Sequence, residues 1–372
     1  MTHSPRRWWR GYIGCVTAIA LGIPRVGAAV TPAPVDVGDR GPSPFLIDKH
    51  GRRARDLRVS LTDRCNLRCT YCMPAEGLSW QPTDELLSDD ELVRVIAVAV
   101  GRLGIEEIRF TGGEPLLRKG LPEIIARVGA LRPRPEISLT TNGIGLHRRA
   151  GQFVDAGLDR INISLDSLDP DTFERLTRRR RLPDVLAALA AAAAAGLNPV
   201  KINTVLLRGV NEHEAPDLLQ FSLDHDYRLR FIEQMPLDAG HVWSRQRMVT
   251  ADEILDRLSA RFDLTPDDAA RDGAPAELFR VNGGPATVGI IASVTRPFCG
   301  DCDRTRLTAD GQIRTCLFSR GETDLRAIVR GGGSDEQIAQ LWRAATWGKL
   351  PGHGIDDPSF LQPDRPMSAI GG

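Results

Sequence analysis

Leu57-Arg58-Val59-Ser60-Leu61-Thr62-Asp63-Arg64-Cys65-Asn66-Leu67-Arg68-Cys69-Thr70-Tyr71-Cys72-Met73-Pro74 is the stretch on which the reading of this chain turns. Its first five residues alternate apolar and polar, the pattern of a half-buried strand. The remainder sets Cys65, Cys69 and Cys72 in C-x3-C-x2-C spacing. Three thiolates hold three irons of a [4Fe–4S] cluster and leave the fourth open to a ligand that can react there. The competing reading is structural zinc, which takes four Cys or His ligands. No fourth Cys or His lies close by; the nearest upstream His is His50.

Strand and helix signals alternate from this point on. Further strands are predicted at 107–111, 136–141, 160–165, 200–206 and 229–233, with helices at 121–128, 147–156 and 215–223 between them. The capping boxes Ser88-Asp89-Asp90-Glu91 and Thr250-Ala251-Asp252-Glu253 open helices that run to about Leu103 and Ala260. Gly196 stops the Ala-rich helix 185–195. Six βα units in succession predict a parallel sheet curled into a three-quarter barrel, since eight close a full one. In such folds the chemistry sits at the C-terminal ends of the strands. The motifs fall there: the cysteine loop after the first strand, Thr111-Gly112-Gly113-Glu114-Pro115 after the second, Thr140-Thr141-Asn142-Gly143 closing the third, Ser164 and Asp166 ending the fourth, and Met235 after the sixth. A glycine pair lets backbone approach a ligand closely, and a glutamate beside it can accept hydrogen bonds from an ammonium group.

The chain has 372 residues, enough for about two domains, and 48 basic against 48 acidic side chains. That balance gives no surface for coating nucleic acid. Six of the seven cysteines fall into two triplets, which is metal-type usage and not a disulfide framework. At the N-terminus, Arg6-Arg7-Trp8-Trp9-Arg10 precedes an apolar run, 12–23, with small residues at 27–29. The outline is that of a signal peptide, twin-arginine included, but the run is shorter than the roughly 20 residues a membrane span needs. Export signal, membrane-touching extension and a tail of little consequence compete. The last is preferred, with Cys15 a bystander and the protein cytoplasmic, because oxygen-sensitive clusters need a reducing compartment. The Pro/Gly-rich stretch 32–44 reads as a linker. The expected organisation is an extension at 1–44, the partial barrel at 45–270 and a C-terminal α+β region at 271–372.

The second triplet, Cys299, Cys302 and Cys316, lies in that last region with C-x2-C-x13-C spacing. Taken alone it fits a zinc ribbon as well as a second open-iron cluster. It brackets the Asp310-Gly311 hairpin signal. Two short helices follow, the second opened by Ser334-Asp335-Glu336-Gln337, and the chain ends in Gly371-Gly372.

The cysteine loop with Tyr71 before its third Cys, and the Gly-Gly-Glu turn, resemble those of the radical S-adenosylmethionine (SAM) enzymes. The second triplet, Arg304-Thr305-Arg306 just past its second Cys, and the Gly-Gly end narrow the resemblance to the radical SAM family that cyclises GTP in molybdenum cofactor biosynthesis. The resemblance covers about 45–372. It implies two [4Fe–4S] clusters, on Cys65, Cys69 and Cys72 and on Cys299, Cys302 and Cys316. It implies SAM contacts at Tyr71, Gly113, Glu114, Ser164 and Met235. It places GTP against Arg58, Arg109, Thr140, Lys201, Arg304, Thr305 and Arg306, with guanine on the open iron of the second cluster.

The implied reaction is reductive cleavage of SAM, removal of hydrogen from ribose C3′, attack of that carbon on guanine C8, and reduction to (8S)-3′,8-cyclo-7,8-dihydroguanosine 5′-triphosphate. The implied partners are an external low-potential electron donor and a downstream cyclic pyranopterin monophosphate synthase. Homodimer formation is left open by the sequence. A triphosphate needs cations with several donors. Arg58, Arg109 and Lys201 lie within predicted strands, where a charge is costly unless it is paired or faces a ligand. Asp303 stands where members of this family more often have Asn, and a carboxylate there accepts but does not donate. Two other readings are a peptide-modifying radical SAM enzyme with an auxiliary cluster, and a zinc module without catalysis.

Overall fold

The computed structural model describes residues 43–268 and 271–371. The signal-like segment, Cys15 and Gly372 lie outside the described residues. The first half is six βα units. They comprise β1 (Asp56–Ser60), α1 (Asp89–Leu103), β2 (Glu107–Thr111), α2 (Leu121–Gly129), β3 (Glu136–Thr141), α3 (Ala150–Asp155), β4 (Arg160–Ser164), α4 (Pro170–Thr177), α5 (Leu182–Ala194), β5 (Lys201–Val205), α6 (Ala215–Asp224), β6 (Arg228–Ile232) and α7 (Ala251–Ser259). Strands β1 to β6 lie side by side in chain order and pair in parallel.

The period of two along each strand decides which side chains meet the helices. Leu57, Val59, Ile108, Phe110, Ile137, Leu139, Ile161, Ile163, Ile202 and Phe231 are fully buried in one continuous core with the helices. The alternating positions, among them Arg58, Arg109, Thr140, Ser164, Asn203 and Arg230, take the concave side and line a cavity. The capping boxes at Ser88 and Thr250 form as predicted. Helix α4 is absent from the sequence reading, although its start carries a plain signal: Asp169 accepts from Thr172 N–H at 2.7 Å ahead of Pro170. The predicted helix 147–156 opens instead as a 3-10 turn, Leu146–Arg148, and becomes α-helical at Ala150.

The C-terminal region continues the same sheet on both edges. Strands β7 (Leu264–Pro266), β8 (Glu277–Val281) and β9 (Thr287–Ile291) form an antiparallel meander, and β9 lies parallel to β6. At the other edge β10 (Arg304–Leu307) pairs in parallel with β1 and carries β11 (Gln312–Arg314) and β12 (Thr323–Asp324) outward. The hairpin between β10 and β11 turns at Gly311 with φ +80°, as the Asp-Gly signal requires. Helices α8 (Arg326–Arg330) and α9 (Asp335–Trp347) pack outside this edge, and α10 (Met367–Ile370) ends the described chain. Trp342 of α9 is fully buried, and its Nε1–H donates to Thr305 Oγ1 at 3.1 Å.

Candidate active site

The cysteine loop leaves β1 and is held by the turn that follows β2. Gly113 N–H donates to Thr62 O at 2.7 Å, and Glu114 N–H to Arg64 O at 2.8 Å. A Cβ on Gly112 would sit 2.5 Å from Thr62 O, and one on Gly113 would sit 2.4 Å from Arg64 O. The glycine pair is therefore required first by the approach of this turn to the chain's own cysteine loop. Glu114 is buried and accepts from Thr141 Oγ1 (2.6 Å), Leu116 N–H (2.9 Å) and Asn142 N–H (2.7 Å). Burial outweighs these donors and pushes its carboxyl up to about 7.

Two side-chain bonds tie the loop across the sheet. Tyr71 O–H donates to Asp166 Oδ2 at 2.6 Å, and Asp166 Oδ1 accepts from Val205 N–H at 2.9 Å. Burial raises the Asp166 carboxyl to about 6. Asn142 Nδ2 donates to Asn66 Oδ1 at 2.7 Å, between the first two cysteines of the loop. Burial pushes the Cys65 thiol up to about 11 and the Cys72 thiol up to about 12. These thiols need a nearby cation to become thiolates.

The second triplet closes the opposite end. Cys299 opens a short turn, Cys299–Asp301, and Cys316 follows β11. All six described cysteines are free thiols lining one cavity of about 340 Å³. Tyr71, Gly113, Glu114, Ser164 and Met235 line it as well, as do Arg58, Arg109, Thr140, Arg304 and Arg306. Two predicted contacts do not. Lys201 begins β5, at the strand end away from the cysteine loop, and is absent from the lining. It lies within electrostatic reach of Arg230, Arg160 and Arg109, and burial with these charges lowers it to about 7. Thr305 alternates with Arg304 and Arg306, so its side chain turns to the helix layer and Trp342.

Between the triplets lies a concentration of positive charge. Burial and neighbouring arginines push Arg58 well down and bring Arg230 to about 10. Arg306 is also lowered to about 10, chiefly by burial. A guanidinium does not give up its proton in a protein, so these buried cations favour an anion among them. Asp56 supplies one loosely, at 3.6 Å from Arg58 Nε and 3.9 Å from Arg109 Nη2. Its Oδ1 and the Nε atoms of Arg58 and Arg109 are buried without a hydrogen-bond partner. Arg304 sits 3.8 Å from Asp303, so the carboxylate is close but outside hydrogen-bond range.

Sequence reasoning missed Arg230, Asn203, Asp56, His353 and Lys349. Arg230 carries the signal used for Arg58, a charge inside a strand. His353 donates from Nε2 to Ser293 O at 3.1 Å and stacks obliquely on Phe318, with ring centroids 4.8 Å apart. Lys349 follows α9 directly and has no pattern around it to mark it. The chain end also reaches this site. In α10, Ser368 lines the cavity and Ile370 is buried with Leu237 and Phe318. Gly371 is buried, its carbonyl accepts from Arg306, and a Cβ there would lie 2.9 Å from Thr111 Cγ2.

The six cysteines stand as two sets of three thiols around the cavity. Among the described residues, no three His, Cys, Asp or Glu side chains converge as one metal ion requires. A zinc ion draws sulfurs to about 2.3 Å from a shared centre, whereas cluster thiolates sit on separate irons. No helix among the described residues is long and apolar enough to cross a membrane.

A partial parallel barrel with a C-x3-C-x2-C loop after its first strand defines a radical SAM protein, which carries a [4Fe–4S] cluster and uses SAM. A family model described as Radical SAM superfamily matches residues 59–222, and one described as Molybdenum Cofactor Synthesis C matches 227–355. The GTP 3′,8-cyclase of Streptomyces coelicolor is 66% identical over 88% of this chain and 96% of its own length. That of Mycolicibacterium smegmatis is 60% identical over 96% of this chain and all of its own. The chain belongs to the GTP 3′,8-cyclase family. Among solved structures, Streptococcus suis SuiB bound to precursor peptide SuiA shares the fold at 14% identity, with TM-score 0.54 over 82% of this chain and 67% of that one.

Proposed function

We propose that this protein converts GTP to 3′,8-cyclo-7,8-dihydroguanosine 5′-triphosphate as a radical SAM cyclase of molybdenum cofactor biosynthesis. One observation carries the reading: both cysteine triplets line one cavity, with Arg58, Arg109, Arg230, Arg304 and Arg306 around the space between them. A peptide-modifying enzyme has no need of that many convergent guanidinium groups, whereas a triphosphate binds them through charge-assisted hydrogen bonds.

Cys65, Cys69 and Cys72 would hold the first cluster, and Cys299, Cys302 and Cys316 a second. With its cluster and SAM bound, the first site supplies a carbon radical able to take hydrogen from ribose C3′. The protein's own part is placement. Glu114 Oε2 accepts a single bond here and keeps capacity for the amino group of SAM. Tyr71 and Asp166 fix the loop that presents the thiols. The arginines hold the phosphates, so that C3′ faces one triplet and guanine the other. Such alignment is a large source of rate. The electron comes from an external low-potential donor, and the product passes to a synthase that builds the pterin.

The test is an anaerobic assay with GTP, SAM and reductant, read by mass spectrometry of the nucleotide beside iron and sulfide analysis. About eight irons per chain are expected. Changing the first triplet to Ala leaves about four irons and abolishes SAM cleavage. Changing the second leaves about four and abolishes the cyclised nucleotide. Cyclised product from the second variant would remove the substrate-binding role of that triplet.

A further inference from the structure

Lys349 is 4% exposed, and its ammonium spends all three donors behind the second triplet. Nζ lies 3.0 Å from Cys302 O, 3.3 Å from Cys302 Sγ and 3.0 Å from Arg304 O. Among the described residues no carboxylate lies within ion-pair distance of it. Two of its three acceptors are neutral carbonyls, so the thiol sulfur, to which the Arg304 side chain also donates, is the one partner of the three able to carry negative charge. A buried ammonium without a counter-ion is costly. The site is satisfied when Cys302 is a thiolate, the form in which it ligates iron.

The segment that carries Lys349 is itself locked to the triplet. Arg52 Nη1 donates to Cys299 O at 2.7 Å and to Pro351 O at 2.9 Å, while Nη2 donates to Leu350 O at 2.6 Å. Asp48 holds Arg52 from behind through Nε at 2.6 Å. Lys349 approaches Cys302 from outside the cavity and is absent from its lining.

We propose that Lys349 is a positioning residue for the second iron–sulfur site: it holds the Cys302 sulfur and its charge raises the reduction potential of the cluster bound there. The inference rests on the second cluster proposed above. Hydrogen bonds and positive charge at a cluster sulfur stabilise the reduced, more negative state and raise the potential. Removing them lowers it.

The experiment compares the reconstituted full-length protein with Lys349→Met and Lys349→Arg, using iron analysis and potentiometry followed by electron paramagnetic resonance. Added SAM perturbs the signal of the first cluster and so identifies it. The expected result is a potential lowered in Lys349→Met for the second signal alone, with the first signal as internal control and Lys349→Arg close to the parent. An equal potential in Lys349→Met and parent overturns the inference. Loss of about four irons in Lys349→Met with their retention in Lys349→Arg supports it. Their loss in both variants overturns it, because packing alone would then be at work. About four irons in the parent chain would instead remove the second cluster itself, a failure distinct from that of Lys349.

Discussion

Arg230 and Thr305 show how a single step along a strand separates a binding residue from a structural one. Arg230 lines the cavity within electrostatic reach of Arg109, and Arg230→Ala should weaken GTP binding roughly ten- to a hundredfold, the loss of about 1.5–3 kcal/mol. Thr305→Val should leave GTP affinity unchanged and cost about 1 kcal/mol of stability, by stranding the Trp342 N–H. Calorimetric titration with GTP and denaturant unfolding separate the two outcomes. Lys201 gives a pH dependence. Its folded-state value of about 7 leaves it mostly neutral above that pH, and a polyanion bound nearby draws a proton back onto it. GTP binding should therefore take up a proton between about pH 7.5 and 9 and weaken as pH rises, by less than tenfold per unit. Calorimetry in two buffers of different ionisation enthalpy measures that uptake, and an equal apparent enthalpy in both would refute it. Charges inside strands were legible from the sequence because burial makes them expensive. Which face they take was also legible, from parity, and that rule applied to Arg304 and Arg306 turns the Thr305 side chain toward the helices. Lys349 was not legible, because a single lysine after a helix end carries no periodic signal.

At the scale of elements, the last helix and the glycine after it matter most. Gly371 adopts φ +76°, its carbonyl meets Arg306, and its Cα lies close to Ser60 and Thr111 at the ends of β1 and β2. An alanine there meets both an unfavourable backbone region and a 2.9 Å contact. Gly371→Ala, or deletion of Gly371 and Gly372, should keep iron content and GTP affinity and strongly reduce the cyclised product. Product yield is measured against both quantities, and full activity in the deletion would make the tail dispensable. The hairpin at Asp310-Gly311 and the capping boxes were legible because their chemistry is local. The docking of the tail rests on the long-range contact between Arg306 and Gly371, which no local pattern encodes. Helix α4 was legible and passed over, since Asp169-Pro170 is an ordinary helix start.

Across the whole molecule, the sheet runs without interruption from β12 to β7, and the C-terminal region supplies the strands beyond both β1 and β6. The six-strand core was legible from its repeated βα pattern, whereas the long-range pairing that flanks it was not. A fragment ending at residue 270 should expose two parallel edges and associate. Light scattering checks this, and a monomeric fragment with a cooperative melt would contradict it. The pairing of β1 with β10 also has a consequence for how the protein is made. β1 leaves the ribosome about 250 residues before β10. At roughly 5–20 residues per second, that interval lasts on the order of tens of seconds. Throughout it the groove that will become the cavity has one side unbuilt, and Cys65, Cys69 and Cys72 stand at an open rim. The cavity is complete only once the last described residues, Ser368 to Gly371, dock against it.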